Sequence, residues 1–141
     1  MTLSVCLAQV ESLKHNTVPA AMKYVWLSEL EQRVIIDVLN THALSVEEQA
    51  EVDGFTPYTS ESDDGTTLLI PDPFSEIYRY WLMARIDEVN RDSAYTNNIT
   101  QFNRAWTTYA NWYNRTHLPQ MQVSHFRLDG GNVWTAIDPL S

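Results

Sequence analysis

Acidic and imidazole side chains are the residues of this chain best suited to chemistry. Glu47 and Glu51 stand four apart, so on a helix they share one face. Asp37 and His42 form a second carboxylate–base candidate. With a metal ion, Glu47, Glu51 and His42 would suit a hydrolase. The spacing argues against it. His15, His42, His117 and His125 show neither HxH nor HExxH order. Asp63-Asp64-Gly65 echoes a calcium loop, but with Gly65 as the sixth position the first, third and twelfth are Ser60, Ser62 and Pro71, which carry no carboxylate. Only 4 glycines occur, and none builds a phosphate-cradling loop. The single cysteine, Cys6, sits among Val5, Leu7 and Val10 and reads as a small buried hydrophobe. No catalytic residue, metal ligand or cofactor is expected.

The elements that would have to position such groups are built for packing. Tyr95, Ile99, Phe102, Trp106, Tyr109 and Tyr113 recur at spacings of four, three, four, three and four, which lines one stripe of a helix with large rings. That helix starts at Asp92 or Ser93 and ends near His117, ahead of Pro119. At about 1.5 Å per residue it is on the order of 35 Å long. A stripe of this kind could stack bases, but aromatics at helical spacing are usually core.

Three further helices are expected. The first follows Thr2 as cap and runs to Leu13. The second starts at Asn16 or Thr17, with Pro19 in its first turn, and runs to about Thr41; Met22, Val25, Trp26, Leu30, Val34, Val38 and Leu39 define its buried side. The third starts at Asp72-Pro73 and runs to about Asn90, with Phe74, Ile77, Tyr78, Trp81, Leu82, Ile86 and Val89 facing inward. Apolar stripes on all four give a mainly α chain, a small four-helix bundle over residues 1–117.

Between the second and third helices the composition changes. Residues 43–65 hold Glu47, Glu48, Glu51, Asp53, Glu61, Asp63 and Asp64 and not one Lys or Arg. Ser45–Val52 has a capping-box pattern for a short acidic helix, with Ser45 as cap and Glu48 reaching back. Thr59–Gly65 reads as a polar loop. Thr66–Ile70 reads as a short strand that pairs with Phe55–Tyr58. Residues 118–141 form an extended C-terminal arm interrupted by Gly130-Gly131, with Phe126, Trp134 and Ile137 as candidate anchors in a neighbour.

Charge excludes further classes. The chain carries 18 acids against 9 bases, a formal net charge of −9. With only two lysines, Lys14 and Lys23, and scattered arginines, it lacks the basic patch of a nucleic-acid binder. No run reaches the roughly 18 apolar residues of a membrane span. No signal peptide is expected, so the sequons at Asn98 and Asn114 are taken as chance matches.

The order of segments resembles the small head–tail connector, or adaptor, proteins of long-tailed bacteriophages of Gram-positive hosts. Met1-Thr2-Leu3-Ser4 leads into a helix, and Tyr24-Val25-Trp26-Leu27-Ser28-Glu29-Leu30-Glu31 follows in the next. Leu69-Ile70-Pro71-Asp72-Pro73-Phe74-Ser75-Glu76-Ile77-Tyr78 is similar to that family's entry into its third helix. Tyr109-Ala110-Asn111-Trp112-Tyr113-Asn114-Arg115 and His117-Leu118-Pro119 are similar to its closing helix. The resemblance implies a non-enzymatic structural protein of the virion that forms a ring, typically a dodecamer, beneath the portal. Its implied partners are the portal protein, further copies of itself and the next connector or tail-completion protein. It further implies that genomic DNA passes through without specific binding, that no membrane is involved, and that assembly takes place in the host cytoplasm. The acidic residues Glu47 to Asp64 are then expected to face the channel or the portal rim, and the arm to dock on the portal or a neighbouring subunit. The alternative is an intracellular helical adaptor or regulator that binds a protein partner.

Overall fold

The computed structural model describes residues 1–120. Five α-helices form there: α1 (Leu3–Leu13), α2 (Ala20–Asp37), α3 (Val46–Asp53), α4 (Glu76–Asn90) and α5 (Tyr95–Thr116). Turns of 3₁₀-helix at Leu39–Thr41 and Asp72–Phe74 end α2 and lead into α4. Four of the helices make the bundle, and α3 is the short acidic helix. Thr2 caps α1 through its side chain, as its position predicts.

Long-range contacts fix the directions. Glu31 of α2 meets Tyr78 of α4, and Glu29 meets Arg85, so these helices run antiparallel. Asp87 meets Asn98 across the α4–α5 hairpin, while Phe74 packs on Tyr109 and Trp112. Lys14 reaches Asp87 and the Met1 amine reaches Asp72, so α1 runs parallel to α4. The result is an up-down-up-down bundle. One end gathers the start of α1, the end of α2, the start of α4 and the end of α5. The connection 43–71, α3 included, packs at that end and reaches along α2 as far as Ser28, whose Oγ accepts from the Tyr58 N–H (2.8 Å).

α4 is the central helix. Ile77, Tyr78, Trp81, Leu82, Met83, Ala84 and Ile86 are buried on it, as a helix with neighbours on several sides requires. Two guanidinium groups lie over its Trp81 ring, Arg33 at 6.0 Å and Arg85 at 5.2 Å. On α5, Phe102, Tyr109 and Tyr113 are buried, and Ile99 and Trp106 pack against the core. From Ile99 to Tyr113 the aromatic stripe is interior, as its spacing predicts, and Tyr95 at its start is half-buried outside the core cluster.

Three expectations need correction. No strand occurs among the described residues, and the proposed hairpin of Phe55–Tyr58 with Thr66–Ile70 is absent; isolated bridges pair Thr2 with Thr67 and His42 with Pro119. Side chains take the backbone groups that a hairpin would use: the Leu69 N–H donates to Glu31 Oε2 (2.9 Å) and the Ile70 N–H to the Tyr78 hydroxyl (2.8 Å). Second, Met22 and Val25 are 43% and 49% exposed, while Leu27, Ser28 and Glu31 face inward. α2 is rolled so that Glu31 reaches those donors. Third, Val89 is exposed and Asp87 is buried. Asp87 is held by Lys14 Nζ at 2.7 Å and by an Asn98 Nδ2–H donated at 2.6 Å. Asn98 is itself buried, which removes that sequon from the surface.

Cys6 is fully buried, and burial, followed by the charge of Glu31, pushes its thiol up to about 12. It behaves as the small core residue its neighbours predict. No described helix is long and apolar enough to cross a membrane.

Candidate functional site

The acidic helix is made by local chemistry. The Glu48 N–H donates to Ser45 Oγ (3.1 Å), and the Ser45 N–H donates to Glu48 Oε1 (2.9 Å), which completes the capping box. Glu47 and Glu48 lie in the first turn, where the helix dipole favours carboxylates. Gly54 ends the helix, and its N–H returns to the Ala50 carbonyl.

The helix is docked on the end of α5 by Glu48. Its Oε2 lies 2.9 Å from His117 Nε2. The Ser45 N–H, and after it the bond to His117, hold the Glu48 carboxyl below its ordinary 4.5. The His117 ring stacks on Tyr113 at 3.7 Å with an interplanar angle of 4°. His42 meets the edge of the same Tyr113 ring at 4.8 Å. His42 Nδ1 donates to the Val38 carbonyl (2.7 Å), and Nε2 lies 2.8 Å from the Asn114 side-chain amide. The segment that leaves the bundle runs beside this cluster. The Ala43 N–H donates to Leu118 O (2.8 Å) and the Gln120 N–H donates to Thr41 O (3.0 Å).

The expected acidic residues fall into two groups. Glu47, Glu48, Glu51 and Asp53 belong to α3. Asp53 accepts from Gln49 Nε2 (2.9 Å), while Glu47 and Glu51 are exposed. Glu61, Asp63 and Asp64 are exposed in the loop against the start of α1, where the Asp64 and Thr66 carbonyls accept from the Ser4 and Leu3 N–H groups. A cleft of about 350 Å³ is lined by residues of both groups, Glu51 from α3 and Asp63 from the loop. Residues 34–78 contain no Lys or Arg, and Arg115 on the last turn of α5 is a cation at this end. The arm anchors Phe126, Trp134 and Ile137 lie outside the described residues.

The carboxylate–imidazole pairs are not assembled. His42 is bonded to Val38 and Asn114, away from Glu47 and Glu51, and Asp37 lies 4.0 Å from Arg33. Among the described residues no group of three His, Cys, Asp or Glu side chains converges for a metal ion. His117 was not legible as a site residue, because its sequence position marks it as a helix end. Its spacing of four from Tyr113 is the one signal that places both rings on one face.

No family model, curated protein or solved structure matches this chain.

Proposed function

We propose that this chain is a structural virion protein that forms a ring under the portal, connects the capsid to the tail and extends the DNA channel. The observation that carries the reading is the gathering of acids at one end of the bundle. α3, the 59–64 loop and the root of the C-terminal segment all meet there, with no Lys or Arg in residues 34–78. A conduit for DNA must not bind its cargo, and clustered carboxylates repel phosphates. At 0.15 M salt that repulsion reaches only about 8 Å, so it acts only if this end borders the lumen or the portal rim. The resemblance to head–tail adaptors, which covers most of residues 1–119, supports the same role. Its partners are the portal, further copies of itself and the next connector or tail-completion protein, at the head–tail interface of the virion.

Cryo-electron microscopy of the protein assembled with the portal of the same genome tests this. The expected result is a ring with α3 and the 59–64 loop toward the channel or portal rim. A ring with that segment on its outer wall rejects the placement, and failure to join any portal rejects the function.

A further inference from the structure

The four helices of the bundle each bury several side chains, among them Leu3, Cys6 and Val10 even on the short α1. α3 buries none. Its Val46 is 85% exposed, and none of its side chains joins the hydrophobic cluster. The residues just outside it do: Leu44 before the helix and Phe55 after it pack against that cluster. The backbone is tied down beyond the same limits. The Ala43 N–H donates to Leu118 O (2.8 Å), and the Tyr58 N–H donates to Ser28 Oγ (2.8 Å).

Between those fixed points α3 is undercut. A cavity of about 140 Å³ is lined by Glu48, Glu51 and Val52 of α3 and by Tyr109 and Trp112 of α5. The 350 Å³ cleft is lined by Glu51 again and by Gly54 at the end of the helix. Among the described residues one hydrogen bond joins α3 to the bundle, the 2.9 Å contact of Glu48 Oε2 with His117 Nε2. Both partners are partly exposed, and such a contact contributes little by itself.

A segment with so few buried apolar contacts opens ahead of the rest of a fold. A helix of 8 residues is also marginal in water once detached, so undocking and unwinding are one event. We propose that residues 45–54 are a hinged lid, latched by Glu48 on His117, that opens and unwinds as a unit while the four-helix bundle stays folded. The hinges lie at its two ends, and Gly54, without a side chain, turns freely at the second. Glu51 lines both cavities, so opening joins them and bares the rings of Tyr109 and Trp112. It also moves Glu47, Glu51 and Asp53 relative to the acids of the 59–64 loop, which gives the acidic end two arrangements. The lid does not rest on the connector reading, and its test uses the chain alone.

That test is native-state hydrogen exchange of the ¹⁵N-labelled full chain at urea concentrations below the unfolding transition. The amides of residues 49–54 should share one opening, nearly insensitive to urea because little surface is exposed. They should exchange at least about a hundredfold faster than the core amides Leu82 and Ile86. His117→Phe keeps a ring on Tyr113 and removes the latch. It should speed residues 49–54 together by about three- to tenfold relative to Leu82 and Ile86. Glu48→Gln, which still suits the capping box, should act in the same direction and serves if the first variant does not fold. Residues 49–54 that match Leu82 and Ile86 in protection and urea dependence overturn the lid, since α3 then opens only with the whole fold. Rates that fall off residue by residue from one end also overturn it, because they mean fraying. Rates unmoved by both variants overturn the latch.

Discussion

The Tyr78 hydroxyl of α4 donates a 2.5 Å hydrogen bond to Glu31 Oε1 of α2, and both side chains are fully buried. The same carboxylate accepts from the Tyr58 hydroxyl (2.7 Å) and the Leu69 N–H (2.9 Å). Tyr78 in turn accepts from the Ile70 N–H (2.8 Å). One buried acid therefore pins the long connection to two helices. Three donors compensate a group that would otherwise be costly to bury. The network supports the floor on which α3 and the acidic loop stand.

Tyr78→Phe removes a donor from Glu31 and an acceptor from Ile70 at once. Two buried polar groups lose a partner, so the variant should be less stable by about 2–4 kcal/mol. Denaturant unfolding measures the loss, and amide exchange should rise first at Ile70. A stability within about 0.5 kcal/mol of the wild type would show that the network contributes little.

Burial raises the Glu31 carboxyl above its ordinary 4.5, against the opposing bonds from Tyr78, Leu69 and Tyr58. A raised acid binds its proton more tightly in the folded state. Its contribution is full below 4.5 and is lost as pH rises through the folded value. Glu31→Gln removes this titration. The stability advantage of wild type over Glu31→Gln should therefore shrink as pH rises above 4.5 through the folded value. Glu48, Glu11 and Asp92, whose carboxyls are lowered, act in the opposite sense but are common to both proteins and cancel in the difference. A difference that stays constant with pH would show that Glu31 keeps one protonation state throughout.

Local signals were legible and distant ones were not. Thr2 as the α1 cap and the Ser45–Glu48 box are settled within a few residues, so their sequence pattern suffices. The α5 stripe was legible for the same reason. Glu31 was not, because its donors lie 27, 38 and 47 residues away. Periodicity sorts residues by apolarity and so put Met22 and Val25 inside, where the structure buries Ser28 and Glu31. Thr66–Ile70 has strand-like residues, but tertiary partners took its donors. At the candidate site the acids and the α3 boundaries were legible. The Glu48–His117–Tyr113 stack that docks them was not, since it joins residues 69 positions apart.

Arg91 ends α4 in the left-handed region at φ 55° and ψ 39°. That conformation crowds the Cβ of any residue but glycine. Its side chain is exposed, so little is lost by removing it. Arg91→Gly should stabilise the fold by about 0.5–1 kcal/mol. The melting temperature should then rise by about 2–5 °C. Arg91→Ala keeps the Cβ and should give no gain; an equal gain from alanine would trace the effect to charge instead.

Deletion of residues 121–141 separates folding from assembly. The hydrophobic cluster is drawn from residues 3–113, and the bonds Ala43–Leu118 and Gln120–Thr41 survive the cut. The 1–120 fragment should therefore unfold cooperatively and run as a folded monomer on size-exclusion chromatography with light scattering. Under the connector reading the lost segment carries Phe126, Trp134 and Ile137, the expected anchors on the portal or a neighbouring subunit. The fragment should then fail to co-sediment with portal rings that capture the full chain. A fragment that unfolds early would mean the segment completes the core. A folded fragment that still joins portals would move the docking surface to the bundle, and the acidic end would be the first place to seek it.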